Sequence, residues 1–265
     1  MEVVDAREMR TLAPELGPRC LGGVFCGIDG QAEAMPAVLA FAAAARRLGA
    51  RVEEGIGVRG VVVERGRVAG VERSDGTRIA CDVAIVAAGA WSATLLAYHG
   101  ISLPLETRAL QMLLTKPAPA TLAPVLGCFD RKLSLKQLAD GSFLIGCGWP
   151  ALISDDAKNE WEILDDSVRA SREIAATVYP ATAAVPLARS WAGLEAFTPD
   201  DLPALGRVSG VAGLLVAAGF SGHGFALSPA IGDILARLAL GLGAHDALWH
   251  RLCPDRFLKR FKETR

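Results

Sequence analysis

Apolar residues between positions 34 and 50 recur at intervals of three and four, and this spacing predicts a helix with one apolar face. The residues of that face are Val38, Phe41, Ala42, Ala45 and Leu48. Pro36 suits the first turn of such a helix, and Gly49 suits its carboxyl-terminal cap. Arg46 and Arg47 fall on the other side, so the helix is predicted to be amphipathic.

Short β-branched runs separated by turn signals follow between residues 58 and 81, and they predict a meander of strands. The turn signals are Arg65-Gly66, Ala69-Gly70 and Asp75-Gly76. The continuous apolar run over residues 83–88 predicts a strand that is covered on both faces. This strand ends at Gly89, and a short helix is expected from Trp91 to Tyr98.

Strand-like runs separated by prolines and by an Asp-Gly pair are predicted between residues 107 and 149. Helical spacing over residues 155–179 then makes a set of apolar side chains available for burial. That set is Trp161, Leu164, Val168, Ile174 and Val178. Residues 189–206 return to strand, with a bend at Thr198-Pro199-Asp200.

The segment with the most chemical content reads Gly-Phe-Ser-Gly-His-Gly-Phe, from Gly219 to Phe225. It follows an apolar run at residues 213–218 and precedes a predicted helix over residues 226–241. A buried strand, a tight glycine turn and a helix N-terminus place several backbone N–H groups at one spot, with the positive end of the helix dipole. Such a spot suits an electron-rich oxygen, for example a ring carbonyl.

Composition excludes several classes of function for the 265 residues. The net charge of −1 gives no basic surface for nucleic acid or an anionic membrane. Mean hydropathy is +0.32, yet charged residues interrupt the two most apolar stretches, so no transmembrane segment is predicted. The start of the chain has no apolar region of the signal-peptide kind. The excess hydrophobicity therefore indicates a large core, an interface, or both.

The cysteines and histidines predict neither a metal site nor disulfide chemistry. The six cysteines occur singly, without a C-x-x-C pair, which is typical of buried thiols in a reducing cytoplasm. The four histidines form no metal-ligand spacing with them. We therefore expect a cytoplasmic protein without a bound metal.

Two glycine strings imitate a dinucleotide-binding loop. Residues 55–60 match G-x-G-x-x-G, but the fingerprint requires its glycines to open a helix, and these open the strand-like Val61-Val62-Val63. Residues 146–151 fit a looser form of the pattern, yet they place Trp149 and Pro150 where a backbone would have to approach phosphate. Neither string is predicted to bind a dinucleotide.

Four signatures in the same order resemble the D-amino-acid-oxidase-type family of FAD-dependent amine oxidoreductases. They are Gly49-Ala50 with Gly57-Val58; residues 83–88 with Gly89-Ala90-Trp91-Ser92; Trp191-Ala192-Gly193-Leu194 with residues 198–203; and residues 219–224. Residues 133–137, followed by Asp140-Gly141 and Ile145-Gly146, are similar to the branch that contains heteromeric sarcosine oxidase, opine oxidase and hydrogen cyanide synthase subunits.

The resemblance implies a mixed α/β (α+β) fold, in which an incomplete FAD-binding domain is interleaved with an antiparallel-sheet substrate domain. Residues 1–102 and 189–265 would belong to the FAD-binding domain. Residues 103–188 would form the substrate domain, mostly antiparallel sheet plus a helix.

The resemblance also implies which residues contact FAD. Val58 would hold the adenine through its backbone, and the turn at Ala88, Gly89 and Ala90, with Trp91 beside it, would lie against the diphosphate. The residues expected at the isoalloxazine edge are Gly219, Ser221, Gly222, His223, Gly224 and Phe225. Read without the resemblance, Gly89 is a strand-ending turn, Ser221 a helix cap and His223 an ordinary core or surface histidine.

Gly193 bears on how the flavin is held. Monomeric sarcosine oxidase tethers its flavin through a cysteine at the position that Gly193 matches. Glycine cannot form that bond, so the resemblance implies non-covalent FAD with Gly193 in the cofactor site.

The chain departs from the family pattern at its start, because family members begin with a strand and a G-x-G-x-x-G helix. Much of the binding energy of a dinucleotide comes from that loop, so this chain alone is expected to hold FAD poorly. Three explanations are open: a partner chain supplies the unit, the reading frame is truncated, or the protein is an inactive remnant.

A second departure concerns the substrate. Glycine oxidase-like members carry an arginine, which clamps the substrate carboxylate, at the position of Glu195. A carboxylate cannot replace a bidentate guanidinium. Either another cation binds the substrate, with Arg189, Arg108 and Lys136 as candidates, or the substrate is cationic and Glu195 meets its ammonium. An ordinary ion pair between Arg189 and Glu195 is the structural alternative.

The expected function is oxidation of a C–N bond in a small amino or imino acid, with hydride transfer to flavin, as part of a larger unit. No catalytic acid or base is predicted, since the cofactor carries the chemistry and Tyr98 and Tyr179 fall on predicted helices. The alternative is a non-catalytic interaction subunit that kept the fold and does not bind FAD alone.

Overall fold

The computed structural model describes residues 1–98, 100–155, 160–242 and 249–257. By its internal contacts the chain forms two compact units: unit 1 contains residues 1–33 and 108–193, and unit 2 contains residues 34–107 and 194–265. The predicted division at residues 102 and 188 assigns the middle segment to substrate binding and the two outer segments to FAD binding. These roles stay a prediction.

The chain contains fifteen described strands and six described α-helices. The strands are β1 (Glu2–Asp5), β2 (Gly22–Phe25), β3 (Val58–Glu64), β4 (Arg67–Arg73), β5 (Arg78–Ala80), β6 (Ala84–Val86), β7 (Glu106–Pro117), β8 (Leu126–Gly127), β9 (Ser134–Gln137), β10 (Ser142–Pro150), β11 (Leu152–Asp155), β12 (Glu160–Glu162), β13 (Leu187–Phe197), β14 (Ala204–Arg207) and β15 (Leu214–Ala218). The helices are α1 (Ala6–Leu12), α2 (Ala34–Arg47), α3 (Ser92–Ala97), α4 (Asp165–Val178), α5 (Gly224–Ala239) and α6 (Trp249–Leu252).

A five-stranded sheet in the order β13-β7-β10-β9-β8 contributes the larger part of unit 1. Helix α4 packs against β10, and the two elements share one apolar core. Phe143 and Tyr179 meet in that core, with their ring centroids 5.9 Å apart. Buried and partly buried residues alternate along β7, which is the pattern of a strand with one face on this core.

Gln137 fastens the loop around residue 120 to this sheet. Its Oε1 accepts hydrogen bonds from the amides of Thr121 (2.9 Å) and Leu122 (3.0 Å). Its Nε2 donates to the carbonyl oxygens of Pro119 (2.8 Å) and Gly141 (2.9 Å). The Gln137 side chain is buried, so these four bonds satisfy its oxygen and nitrogen in place of water.

The expected helix over residues 155–179 is wrong in its first part, because the structure has α4 beginning at Asp165. Ahead of α4, β11 and β12 pair as a hairpin in which Ile153 lies opposite Trp161. Trp161 is consequently a strand residue that remains 36% exposed, and cross-strand pairing takes the place of helical burial. Residues 156–159 lie outside the described chain.

Unit 2 contains the predicted meander and a small central sheet. Strands β3, β4 and β5 pair antiparallel in sequence order, which confirms the meander over residues 58–81. The central sheet has the order β14-β15-β6, with β15 parallel to β6 and antiparallel to β14. All five residues of β15 are buried, and α5 packs against β14 and β15.

Two apolar surfaces of unit 2 are uncovered in the described chain. The prediction that both faces of the strand at residues 83–88 are covered is wrong here, since Ala84 and Val86 are buried but Ile85 is 43% exposed. Helix α2 confirms the predicted helix, yet none of its residues is buried. Its apolar face includes Val38, which is 56% exposed, and Phe41, which is 61% exposed.

Within the described ranges, no helix has the length and apolar character that crossing a bilayer requires. The same residues contain no group of three or more His, Cys, Asp or Glu side chains placed to hold a metal ion.

Candidate functional site

The turn after β15 is shaped by glycines that the packing requires. Gly219 has φ of +70°, and a Cβ there would lie 2.5 Å from Cγ2 of Thr198 and 2.9 Å from Cδ2 of Leu105. Only glycine fits this point, because any side chain would clash and the positive φ would strain it. Ser221 also has a positive φ, of +49°, and its amide donates to the carbonyl oxygen of Ala196 (3.3 Å). The turn is thereby tied to the end of β13.

The N-terminus of α5 leaves a group of amides without acceptors. The helix begins at Gly224, and its N-cap residue His223 makes no side-chain capping bond. Among the hydrogen bonds of the described residues, none uses the amides of Gly222, Gly224, Phe225 and Ala226 as donors. Free N–H groups at the positive end of a sixteen-residue helix form a site for a negatively charged or electron-rich oxygen.

Glu195 borders this turn from β13. Its Oε2 is buried and has no hydrogen-bond partner among the described residues. A Cβ built on Gly222 would lie 3.7 Å from that oxygen, and nothing else would lie within 4 Å of it. Burial raises the pKa of the Glu195 carboxyl above its ordinary value, and the nearby His223 only partly opposes this shift.

The raised pKa of Glu195 predicts a pH-dependent cost in stability. Above the ordinary glutamate pKa of 4.5 the folded chain binds more protons than the unfolded chain, so stability falls as pH rises through the folded pKa. Glu195→Gln removes this titration. We expect the variant to be more stable than the native chain at pH 8 and equal to it at pH 4, because only the ionised carboxyl carries the cost of burial.

Urea unfolding at both pH values measures this difference. Glu64→Gln, at the exposed end of β3, is the matched control and should change stability at neither pH. A Glu195→Gln variant with the same stability offset at pH 4 and pH 8 would contradict the assignment of a titrating, poorly solvated carboxyl.

The second group of predicted cofactor contacts lies at the end of β6. The Ala88 amide donates to Oγ of Ser92 (3.1 Å), and the Trp91 amide donates to the carbonyl oxygen of Ala88 (3.0 Å). Gly89 has φ of +54°, and a Cβ there would meet nothing within 4 Å. These bonds hold the chain in a tight turn at residues 88–91, with open space beside Gly89 and with Trp91 46% exposed.

The parallel pairing of β6 and β15 brings the two predicted groups together. Val86 lies opposite Val216, so the turns that follow these strands leave the same edge of the sheet. The carboxyl edge of parallel strands is where α/β proteins place ligands. Val58 belongs to the same unit, at the first residue of β3, and is 45% exposed.

The other predicted residues belong to unit 1. Gly193 is exposed, and a Cβ built there would meet nothing within 4 Å. The Arg189 guanidinium lies 4.7 Å from the centroid of the Trp191 ring, and Lys136 Nζ donates to the carbonyl oxygen of Ala32 (2.9 Å). Arg108 lies in β7 and has interactions of its own. Their roles in substrate binding stay predictions.

Sequence reasoning passed over two polar side chains that shape these units. Ser92 belongs to one family signature, and its Oγ closes the turn by accepting a hydrogen bond from the Ala88 amide, four residues earlier in the chain. Gln137 belongs to another signature, and three of its four partners lie 15 to 18 residues away. No local pattern marks the role of Gln137, because only the fold brings these partners near. Cavities of about 360 Å³ in unit 1 and 660 Å³ in unit 2 are lined by other residues.

The order of these elements agrees with a known family. The family model described as FAD dependent oxidoreductase matches residues 1–238. The chain belongs to this family. The resemblance drawn from the four signatures is thus confirmed.

Relatives extend the match over nearly the whole chain. Sarcosine oxidase subunit beta of Rhodobacter capsulatus is 29% identical over 98% of this chain. Hydrogen cyanide synthase subunit HcnC of Pseudomonas protegens is 30% identical over 89% of it. The crystal structure of L-proline dehydrogenase from P. horikoshii superposes with a TM-score of 0.88 at 27% identity and covers 97% of this chain. The predicted mixed α/β fold with antiparallel sheets is confirmed.

The relatives are considerably longer than the chain. It spans 61% of the sarcosine oxidase subunit, 55% of HcnC and 68% of the L-proline dehydrogenase chain. Membership of the family therefore makes this chain part of an FAD-dependent oxidoreductase fold, and the activity of the whole protein is a separate question.

Proposed function

We propose that the chain is the flavin-edge and substrate portion of an FAD-dependent oxidoreductase that oxidises the C–N bond of a small amino or imino acid. The observation that carries this proposal is the set of free amides at Gly222, Gly224 and Phe225, at the N-terminus of α5. Those donors fit an oxygen that gains negative charge, and the pyrimidine carbonyl of a flavin gains such charge on reduction. The names of the sarcosine oxidase and L-proline dehydrogenase relatives support the amino- and imino-acid class.

FAD would be held without a covalent bond. The free amides of Gly222 and Gly224 would contact the edge of the ring, and the turn at Ala88, Gly89 and Ala90, with Trp91, would lie against the diphosphate. Val58 would meet the adenine through its backbone. Open space beside Gly89 and the shared edge of β6 and β15 support this arrangement. Gly193 offers no side chain for a tether.

Bound FAD supplies the hydride acceptor for the C–H bond next to the substrate nitrogen. The chain's contribution is electrostatic and positional. The turn amides would stabilise developing negative charge, and one such donor is worth a few kcal/mol of transition-state stabilisation, about 3 in typical cases. Arg189, Arg108 and Lys136 are the proposed cations for a substrate carboxylate. No protein acid or base is assigned.

We also propose that the active protein is larger than this chain. In the described residues β6 pairs only with β15, which leaves a parallel-sheet edge open, and parallel sheets are normally buried and continued through βαβ units. The uncovered apolar face of α2 also supports the proposal that further polypeptide packs against this chain. A dinucleotide-binding βαβ unit, on further polypeptide of the same or a partner chain, would cover these surfaces. A cytoplasmic location is part of the proposal, and the six free cysteines support it.

Flavin binding tests the proposal. The chain is purified alone and together with the polypeptide encoded immediately upstream, and each sample is titrated with FAD while flavin fluorescence and absorbance are recorded. We expect the chain alone to bind FAD weakly or not at all. The larger protein should bind FAD tightly and show a flavin absorbance spectrum, which an added amino or imino acid should bleach. Colourless protein in both samples would refute the oxidoreductase and favour a non-catalytic interaction subunit.

A further inference from the structure

The unpaired carboxylate of Glu195 is a polar group that the proposed hydride transfer does not use. Its Oε2 is buried and has no hydrogen-bond donor among the described residues. The strand around it is fixed, because the Ala196 carbonyl accepts the Ser221 amide hydrogen bond (3.3 Å) and Thr198 is buried. A buried acceptor in a fixed frame costs stability unless a donor reaches it, and a ligand that supplies the donor would recover that cost.

The turn has room for a methyl-sized group at Gly222, and this opening adjoins the buried oxygen. Gly222 has no side chain, and a Cβ there would meet Glu195 Oε2 at 3.7 Å and nothing else within 4 Å. Water does not reach Oε2, so a small ligand group would have to displace the turn at Gly222, and it would then lie between the carboxylate and the free amides. Because those amides favour an oxygen while Glu195 favours an N–H donor, the two sides of this opening select opposite charges.

The carboxylate of Glu195 itself favours a cation. Burial raises its pKa, His223 opposes this shift only in part, and no described residue gives its Oε2 a hydrogen bond. A second carboxylate brought to this opening would face repulsion and would leave Oε2 without a donor. A protonated nitrogen would supply both the opposite charge and the missing hydrogen bond.

We infer that Glu195 binds a protonated nitrogen of the substrate. The substrate class is then amines and basic amino acids, rather than acids whose only charge at the turn is a carboxylate. The inference rests on the proposed function, since it names the substrate of the same turn. The nitrogen is either the one attached to the oxidised carbon or a second, distal one, and both present an ammonium to Glu195 on binding. In the first case the ammonium must lose a proton to solvent before hydride transfer, because the imine forms with the nitrogen lone pair.

Calorimetric titration at pH 7.5 tests this inference on the protein as isolated, with its flavin where it holds one. The probes are n-propylamine, 1,4-diaminobutane and propionate. We expect the wild type to bind both amines and Glu195→Gln to bind them at least about tenfold more weakly. Glu195→Arg should lose amine binding and gain propionate binding. Glu64→Gln, which removes an exposed carboxylate of the same unit, should bind all three probes as the wild type does.

Oxidation of the two amines separates the two positions of the nitrogen. Turnover of propylamine assigns Glu195 to the reacting nitrogen, whereas turnover of 1,4-diaminobutane alone assigns it to the distal one. Equal amine affinity in the wild type and Glu195→Gln, or no amine binding by the wild type, would overturn the inference. A protein that binds amines through Glu195 but never binds FAD would refute the proposed function and leave this inference standing.

Discussion

Gly222→Val is expected to weaken flavin binding by about 100-fold or more in the form of the protein that holds FAD. The branched Cβ would enter the opening in which the amides of Gly222, Gly224 and Phe225 are free, and these donors would no longer reach a ring oxygen. Loss of two hydrogen bonds to a charged acceptor corresponds to about 3 kcal/mol or more, which is two orders of magnitude in affinity. The ratio of flavin to protein absorbance and a titration with FAD measure the loss.

Backbone strain is the competing explanation for such a loss, since Gly222 has φ of +87°. Gly76 provides the control, because its φ is +84° and a Cβ there would meet nothing within 4 Å. Gly76→Val should therefore carry a similar strain, about 1–2 kcal/mol, in the turn between β4 and β5. Equal flavin content in the two variants would show that the turn at Gly222 lies away from the cofactor.

The elements around this turn could be predicted because local sequence determines them. A fully apolar run gives β15, glycines with positive φ give the turn, and the apolar periodicity that follows gives α5. The parallel partner of β15 was also recognisable as an apolar strand that ends in glycine. The family resemblance predicted only that both turns contact one cofactor. The pairing of β6 with β15, which are more than a hundred residues apart, is visible in the structure alone.

Other features depended on tertiary context. The β1–α1–β2 segment was not predicted, although Asp5 and Glu8 form a capping box that marks the start of α1 in the sequence. Trp161 has helical spacing but is held by pairing between β11 and β12. The exposure of Ile85 and of α2 could not be foreseen, because apolar pattern indicates which face seeks cover and not whether the chain provides it.

The same limit applies to Glu195. Its position opposite a family arginine was visible in the sequence, but the sequence did not show that one carboxylate oxygen is buried without a donor. That fact depends on the side-chain-free turn at Gly222 and on the course of β13. The change from the family arginine to Glu195 therefore bears on the substrate only when the surroundings of Glu195 Oε2 are known.

Gln137→Met is expected to lower the stability of unit 1 by about 4 kcal/mol. Methionine fills a similar volume but leaves the amides of Thr121 and Leu122 and the carbonyls of Pro119 and Gly141 without partners. Each buried group that loses its hydrogen bond costs about 1–3 kcal/mol, and the exposed loop recovers part of this by admitting water. For a protein of this size the loss corresponds to a fall in Tm of about 10 °C, which differential scanning calorimetry resolves.

Gln31→Met is the control that distinguishes loss of the Gln137 hydrogen bonds from the general effect of replacing glutamine by methionine. Gln31 is exposed, and its Nε2 makes a single long bond of 3.4 Å to the Gln137 carbonyl. Its replacement should cost about 0.5 kcal/mol or less, since water takes the place of the lost partner. The transition of unit 2 should be unaffected in both variants, because Gln137 and its four partners all belong to unit 1. A minor surface change shifts Tm by roughly 2 °C or less. If the Tm of Gln137→Met lay within about 2 °C of that of Gln31→Met, the loop around residue 120 would be held by its apolar contacts instead.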